Sequence, residues 1–185
     1  MIFPVHRLPR VAALLLFAVA GARAGDGTSL PDGIANMTVN GTEYDNVTLS
    51  AGVWEGEPWV AGGASRPRVG LARDFLRYGD VDGDGADEAL VIVWQSSGGS
   101  GTFNYIALVD EVDGAWRNTA TTALGDRVKV TDASIGPKGV EVNVIEHDED
   151  DPACCPTRAA TRRYDAQLNP LPLSLIHISE PTRPT

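Results

Sequence analysis

Residues 78–94 read Tyr-Gly-Asp-Val-Asp-Gly-Asp-Gly-Ala-Asp-Glu, followed directly by Ala-Leu-Val-Ile-Val-Trp. Asp80, Asp82 and Asp84 alternate with small or apolar residues. Gly85 follows, Asp87 and Glu88 close the acidic stretch, and an unbroken apolar run begins at Ala89. Alternating carboxylates around a tight glycine turn are how a chain wraps its own oxygens around a hard cation. The apolar run behind them is long enough for a central strand. The chain is therefore expected to bend tightly through an acidic loop and then enter the middle of a sheet.

The spacing restricts the type of loop. Ca²⁺ takes six to eight hard oxygens, mixing carboxylates with a backbone carbonyl. Counting from Asp80 as position 1, Asp82 is 3, Asp84 is 5, Gly85 is the turn at 6, Ala86 offers its carbonyl at 7, and Glu88 falls at 9. An EF-hand places a bidentate Glu at position 12, where this chain has Val91. The loop is thus not an EF-hand. It resembles the D-x-D-x-D-G-x-x-acid loop of FG-GAP repeats, in which an acid at position 9 closes the site and a strand follows. That family usually has Asp there. Glu88 is longer, and Asp87 at position 8 competes with it for the closing role. The expected ligands are Asp80, Asp82, Asp84, Ala86 and Glu88, with an affinity of order 10⁻⁴ to 10⁻³ M as in extracellular modules.

The ends of the chain stand apart from the fold. Residues 1–24 have the three parts of a signal peptide. His6, Arg7 and Arg10 are cationic, Val11 to Gly21 is apolar, and Ala22-Arg23-Ala24 is a small-x-small cleavage pattern. The apolar part has eleven residues, whereas a membrane span needs about 20. From about residue 173, Leu-Ser-Leu-Ile-His-Ile-Ser-Glu-Pro-Thr-Arg resembles the translation of a transposon-type sequencing adapter, and it is read as an artefact tail. Residues 25–45 are expected to lie extended on the surface, since Gly, Asp, Asn, Pro and Thr dominate them. A β-rich domain is expected over 46–172.

Without Arg7, Arg10, Arg23, Arg183 and Glu180, 11 basic side chains face 24 acidic ones, a net charge of −13. Nucleic-acid binding requires a basic face, so that class is excluded. No apolar run beyond the leader is long enough for a span. A periplasmic or secreted monomer is expected.

Short apolar segments with turn signals between them argue for a single, mainly β domain of antiparallel strands, meander- or sandwich-like, with α+β as the alternative. Val47–Leu49 and Val53–Trp54 read as a hairpin around Ser50-Ala51-Gly52. Residues 69–78 fit both a strand face and helical spacing, through Leu71, Phe75 and Tyr78, and the alternation favours a strand. Further strands are expected at 102–109, with a turn at 110–114, and at 116–124, 127–135, 140–145 and 161–164. Val140, Val142 and Val144 share one face. In the Gly- and Pro-rich loop 55–67, Trp59 reads as a lid on the core, the alternative being an exposed binding platform.

Catalytic sets are scarce. Gly98-Gly99-Ser100-Gly101 is followed by Thr102, so it is not the nucleophile elbow G-x-S-x-G and reads as a hairpin loop. His147 is the sole histidine between leader and tail, and no Ser-His-Asp set is evident. The two cysteines, Cys154 and Cys155, are neighbours. Adjacent Cα atoms lie about 3.8 Å apart, short of the 4.4–6.8 Å of ordinary disulfides, so a bond between them is strained. An exported chain nonetheless meets oxidising conditions. A vicinal disulfide and a dithiol turn both stay open. His147 reads as a polar residue at a strand end, the alternative being a soft-metal site with Cys154 and Cys155, for which no fourth ligand is evident.

Five segments together resemble a family of small, uncharacterised exported proteins of Gram-negative bacteria. They are Gly62–Pro67, the 79–85 loop, Ser97–Gly101, Leu124–Val128 and the Asp-Pro-Ala-Cys-Cys-Pro-Thr motif at 151–157. The likeness spans about residues 45–166. It implies a periplasmic address and no catalytic residues. The leading reading is a non-enzymatic, exported Ca²⁺-binding β domain. The alternatives are a thiol/disulfide redox protein using Cys154 and Cys155, and a glycan- or protein-binding module using Trp54 and Trp59.

Overall fold

In the computed structural model, which describes residues 30–172, the apolar run 89–94 forms the middle of strand β5 (Glu88–Ser96). The segments expected to be a signal peptide (1–24) and an adapter-derived tail (from about 173) lie outside the described residues. The remaining elements, in chain order, are α1 (Asp32–Ala35), β1 (Thr38–Val39), β2 (Val47–Thr48), β3 (Val53–Glu55), β4 (Arg68–Gly79), β6 (Phe103–Val112), β7 (Ala115–Asp126), β8 (Lys129–Gly136), β9 (Gly139–Glu146), β10 (Arg158–Tyr164) and β11 (Pro170–Leu171). The protein is mainly β, built of antiparallel sheets of which one curls into a half-barrel. Among the described residues no helix is long and apolar enough to cross a membrane.

The largest sheet runs in the order β3-β4-β5-β6-β7, an antiparallel meander with β5 at its centre. A strand covered on both faces reads as a continuous apolar run, because successive side chains point to opposite faces and each must be buried. Leu90 and Ile92 join one core with Ile106 and Leu108 of β6. The second sheet, β11-β10-β9-β8, covers that face with Ala133, Val140, Val142, Val144 and Tyr164. Ala89, Val91 and Val93 join the opposite core with Tyr105, Ala107 and Val109. Ile34, Met37, Val39, Val47 and Leu49 from the N-terminal segment cover that face.

Three sequence expectations need correction. The segment around residues 30–45 is not spread over the surface. It contributes the single-turn helix α1 and strand β1, and it buries Ile34, Met37 and Val39. Val47–Thr48 and Val53–Glu55 do not pair as a hairpin ladder. β2 pairs with β1 and β3 pairs with β4, and only a Ser50–Val53 bridge spans the turn. Strand β6 also continues through Asp110 to Val112, so its turn is shorter than the expected 110–114.

Strand β4 carries an irregularity that explains its ambiguous sequence. Leu71 faces Val93, but Leu76 faces Val91. Five steps along β4 thus match two along β5, which inserts three extra residues at a bulge. Three is odd, so the alternation inverts. Leu71 and Leu76 pack in the same core, and Phe75 turns to the other. A strand bulged in this way repeats its buried positions at intervals that imitate a helix.

Within the second sheet, neighbouring strands β9 and β10 are also joined electrostatically. The half-buried Glu146 carboxylate accepts hydrogen bonds from the guanidinium groups of Arg162 and Arg158. Burial alone would push the Glu146 carboxyl up, but those hydrogen bonds and charges outweigh it and hold it below the usual range. A depressed acid stabilises the fold above its unfolded pKa and loses that contribution as pH falls through the folded value. Glu146→Gln is accordingly expected to cost about 1.5–3 kcal/mol at pH 7, the worth of hydrogen bonds to charged groups. Its cost should vanish in urea titrations carried down through the acidic range. An equal cost at all pH values would rule out the charge as the cause.

Candidate metal centre

Gly79 and Glu88 pair across the end of β4 and β5, so the acidic stretch 80–87 is the connection of a β-hairpin. The chain closes it with backbone turns that only glycine adopts cheaply: Gly83 has φ of +84° and Gly85 of +90°. Asp80, Asp82 and Asp84 each then satisfy a backbone donor. Asp80 accepts the N–H groups of Gly83 (2.6 Å) and Gly85 (3.1 Å) on its two oxygens. Asp82 accepts Asp84 N–H at 3.1 Å, and Asp84 accepts Ala86 N–H at 2.7 Å. Between the first two acids, Val81 points inward and is buried in the core between the sheets. Its N–H donates to Glu88 Oε2 at 2.8 Å. The loop is thereby anchored at its base and open at its tip.

Oxygens of Asp80, Asp82 and Glu88 lie within 4.8 Å of one another, so these three groups could hold one metal ion. Oxygens on opposite sides of a calcium ion bound at 2.3–2.6 Å sit up to about 5 Å apart. Glu88 closes the group from the head of β5 and is only 5% exposed. Asp87, its sequence competitor, is exposed on the loop. Asp84 stands outside the group of three and turns its carboxylate to Ala86, which is itself exposed.

Burial pushes the Glu88 carboxyl above the usual range. The Val81 N–H opposes this, while the negative charges of Asp82, Asp110 and Asp84 add to it. The sequence places Asp110 in a turn, whereas it lies on β6. Ala89 pairs with Val109, and one more step of that register sets Glu88 against Asp110. Like charges directly across a sheet repel. The two acids line a cavity of about 200 Å³ beside the loop, together with Asp82, Thr119 and Gln167. Register between the two apolar runs was the signal that could have found Asp110.

The other expected sites lie elsewhere. Cys154 and Cys155 form a disulfide on an exposed turn, so no thiol remains among the described residues. His147 is not part of any metal-ligating cluster found among them. Trp59 is not a lid: it is 59% exposed, and its Nε1–H donates to the Ser97 carbonyl at 2.7 Å. Trp54 is half-buried, and Tyr44 stands near both indoles, 5.9 Å from Trp54 and 6.5 Å from Trp59 between ring centres. The Gly98–Gly101 stretch lies in the connection between β5 and β6, as a hairpin loop.

No family model, curated protein or solved structure matches the chain. The functional reading therefore rests on the geometry of the loop.

Proposed function

We propose that the protein is an exported, non-enzymatic β domain that binds Ca²⁺ in the 80–88 loop, where the ion clasps β4 to β5. The observation that carries this reading is the convergence of Asp80, Asp82 and Glu88 oxygens within 4.8 Å at a hairpin end. Only hard oxygens are offered, which suits Ca²⁺ and not a thiolate- or imidazole-seeking metal. The charge argument points the same way. A buried Glu88 set against Asp110 and flanked by Asp82 is costly without a cation between them. Asp84 and the Ala86 carbonyl complete the shell in this proposal, with the exposed tip closing on the ion and water filling the remaining positions. The leader-like residues 1–24 support the exported setting, where millimolar calcium makes a weak site useful.

Calcium at ten times Kd should raise the unfolding free energy by about 1.4 kcal/mol. Chelator should remove the gain, and titration calorimetry should show binding. Asp82→Ala should abolish both effects at little cost to the metal-free fold, because Asp82 is exposed. A melt unmoved by millimolar Ca²⁺, in a protein shown to be folded, sinks the calcium reading.

A further inference from the structure

The end of the large sheet opposite the acidic loop is organised around Arg127. This residue follows β7 with φ of +52°, in the left-handed region that side chains with a Cβ rarely occupy. Its guanidinium donates to Asp126 Oδ2 (2.5 Å), to the Ser100 carbonyl (2.5 Å) and to the Ala153 carbonyl (2.7 Å). Its backbone N–H donates to the Thr102 carbonyl at 2.7 Å, and Asp126 Oδ1 accepts the Thr102 N–H at 2.9 Å. One residue thus fastens the β5–β6 connection to the turn that carries the disulfide. The same connection holds a third loop, since the Ser97 and Gly98 carbonyls accept Trp59 Nε1–H and Ser65 Oγ–H.

The disulfide turn is built to present Ala153. Asp151 accepts the N–H groups of Asp148 and Thr157 and the Thr157 hydroxyl, each at 2.8 Å. Cys155 N–H donates to the Pro152 carbonyl at 2.9 Å, and Pro156 is buried beneath the two exposed cysteines. A cross-link ordinarily stabilises a protein by closing a loop in the unfolded chain. This one joins residues at a sequence separation of one, so it closes essentially no loop. Its effect is confined to the shape of the turn, and both its sulfurs belong to residues open to an attacking thiolate.

We propose that Cys154–Cys155 is a thiol–disulfide exchange site for a dithiol reductant, and that reduction releases the Ala153 carbonyl from Arg127 and loosens the β5–β6 connection. A thiolate of the dithiol attacks one sulfur, forming a mixed disulfide and freeing the other cysteine, which takes a proton. The second thiol of the reductant then attacks the mixed disulfide and frees the first cysteine. The protein gains two electrons and two protons, and the reductant leaves as its own disulfide. The acidic run Asp148 to Asp151 repels anionic thiols, so the fitting reductant is a neutral dithiol or a protein dithiol in basic surroundings.

The test uses the full exported chain treated with dithiothreitol, a neutral dithiol, followed by alkylation, intact mass and hydrogen exchange. Reduction should add alkyl groups to both cysteines and raise amide exchange at Thr102 and Arg127 at least tenfold, leaving Gly83 and Gly85 unchanged. The double variant Cys154→Ser with Cys155→Ser should reproduce the reduced pattern, and the wild-type experiment stands without it. Arg127→Lys should exchange fast at Thr102 in the oxidised state, with no further rise on reduction. A bond that resists excess dithiothreitol in the folded protein overturns the exchange site. Full reduction with unchanged exchange at Thr102 and Arg127 overturns the coupling through Arg127.

Discussion

Leu90→Ala is expected to lower the unfolding free energy by about 2–5 kcal/mol, the range for deleting a buried leucine side chain. Leu90 is fully buried in the central strand, between the large sheet and the β8–β11 sheet. The cavity left behind cannot collapse easily, because β4 and β6 hold β5 on both sides. The loss should appear as a lower urea midpoint with an unchanged slope. Its neighbour makes the experiment decisive for the architecture. Val91 is also fully buried but belongs to the opposite core, under Ile34, Met37 and Val39. Val91→Ala should therefore destabilise as well, whereas a strand with one wet face would lose stability at only one of the two positions. A Val91→Ala protein within about 0.5 kcal/mol of wild type, the usual range for surface changes, would show that the N-terminal segment does not cover that face.

That pair of residues also shows what could be read in the chain before folding. A six-residue run without a polar interruption, Ala89 to Trp94, marks a central strand in any β context. The loop before it was legible for the same local reason, since ligand spacing and glycine turns are encoded within nine residues. What stayed hidden depends on partners distant in sequence. The segment holding Ile34 and Val39 looks polar because each apolar residue is isolated among turn formers. Only the unclaimed face of the large sheet, made by β4, β5 and β6, gives them something to pack against. Phe75 and Leu76 point to opposite cores because of a bulge, and no periodicity reveals an insertion of that kind. The area an indole can bury favours a lid position for Trp59. Its position is decided instead by a hydrogen bond to Ser97, 38 residues further on. Asp110 lines the cavity beside Glu88 because β5 and β6 pair, which no local pattern encodes.

Glu88→Gln should reverse its effect on stability according to whether calcium is present. Glutamine keeps an oxygen that can accept the Val81 N–H, so the loop retains its anchor. It removes a buried negative charge flanked by Asp82, Asp110 and Asp84. Those groups and burial raise the Glu88 carboxyl in the folded protein. Between the unfolded pKa and the raised folded value, the folded state holds more protons than the unfolded one, and stability falls as pH rises through that window. Above the window the penalty is complete, and below the unfolded pKa it is absent. In chelator at pH 7 the variant should therefore unfold at the same urea concentration as wild type or higher, and the difference should disappear in the acidic range. In calcium at 100 times Kd, wild type gains about 2.7 kcal/mol. The variant gains far less, having lost the oxygen donor that closes the site from β5. The order of stabilities then inverts. A variant less stable than wild type in chelator, and stabilised equally by calcium, would place the charge and the ion elsewhere. The inversion separates a ligand from a merely structural acid, since a structural carboxylate lost to glutamine changes stability in one direction whether or not calcium is present.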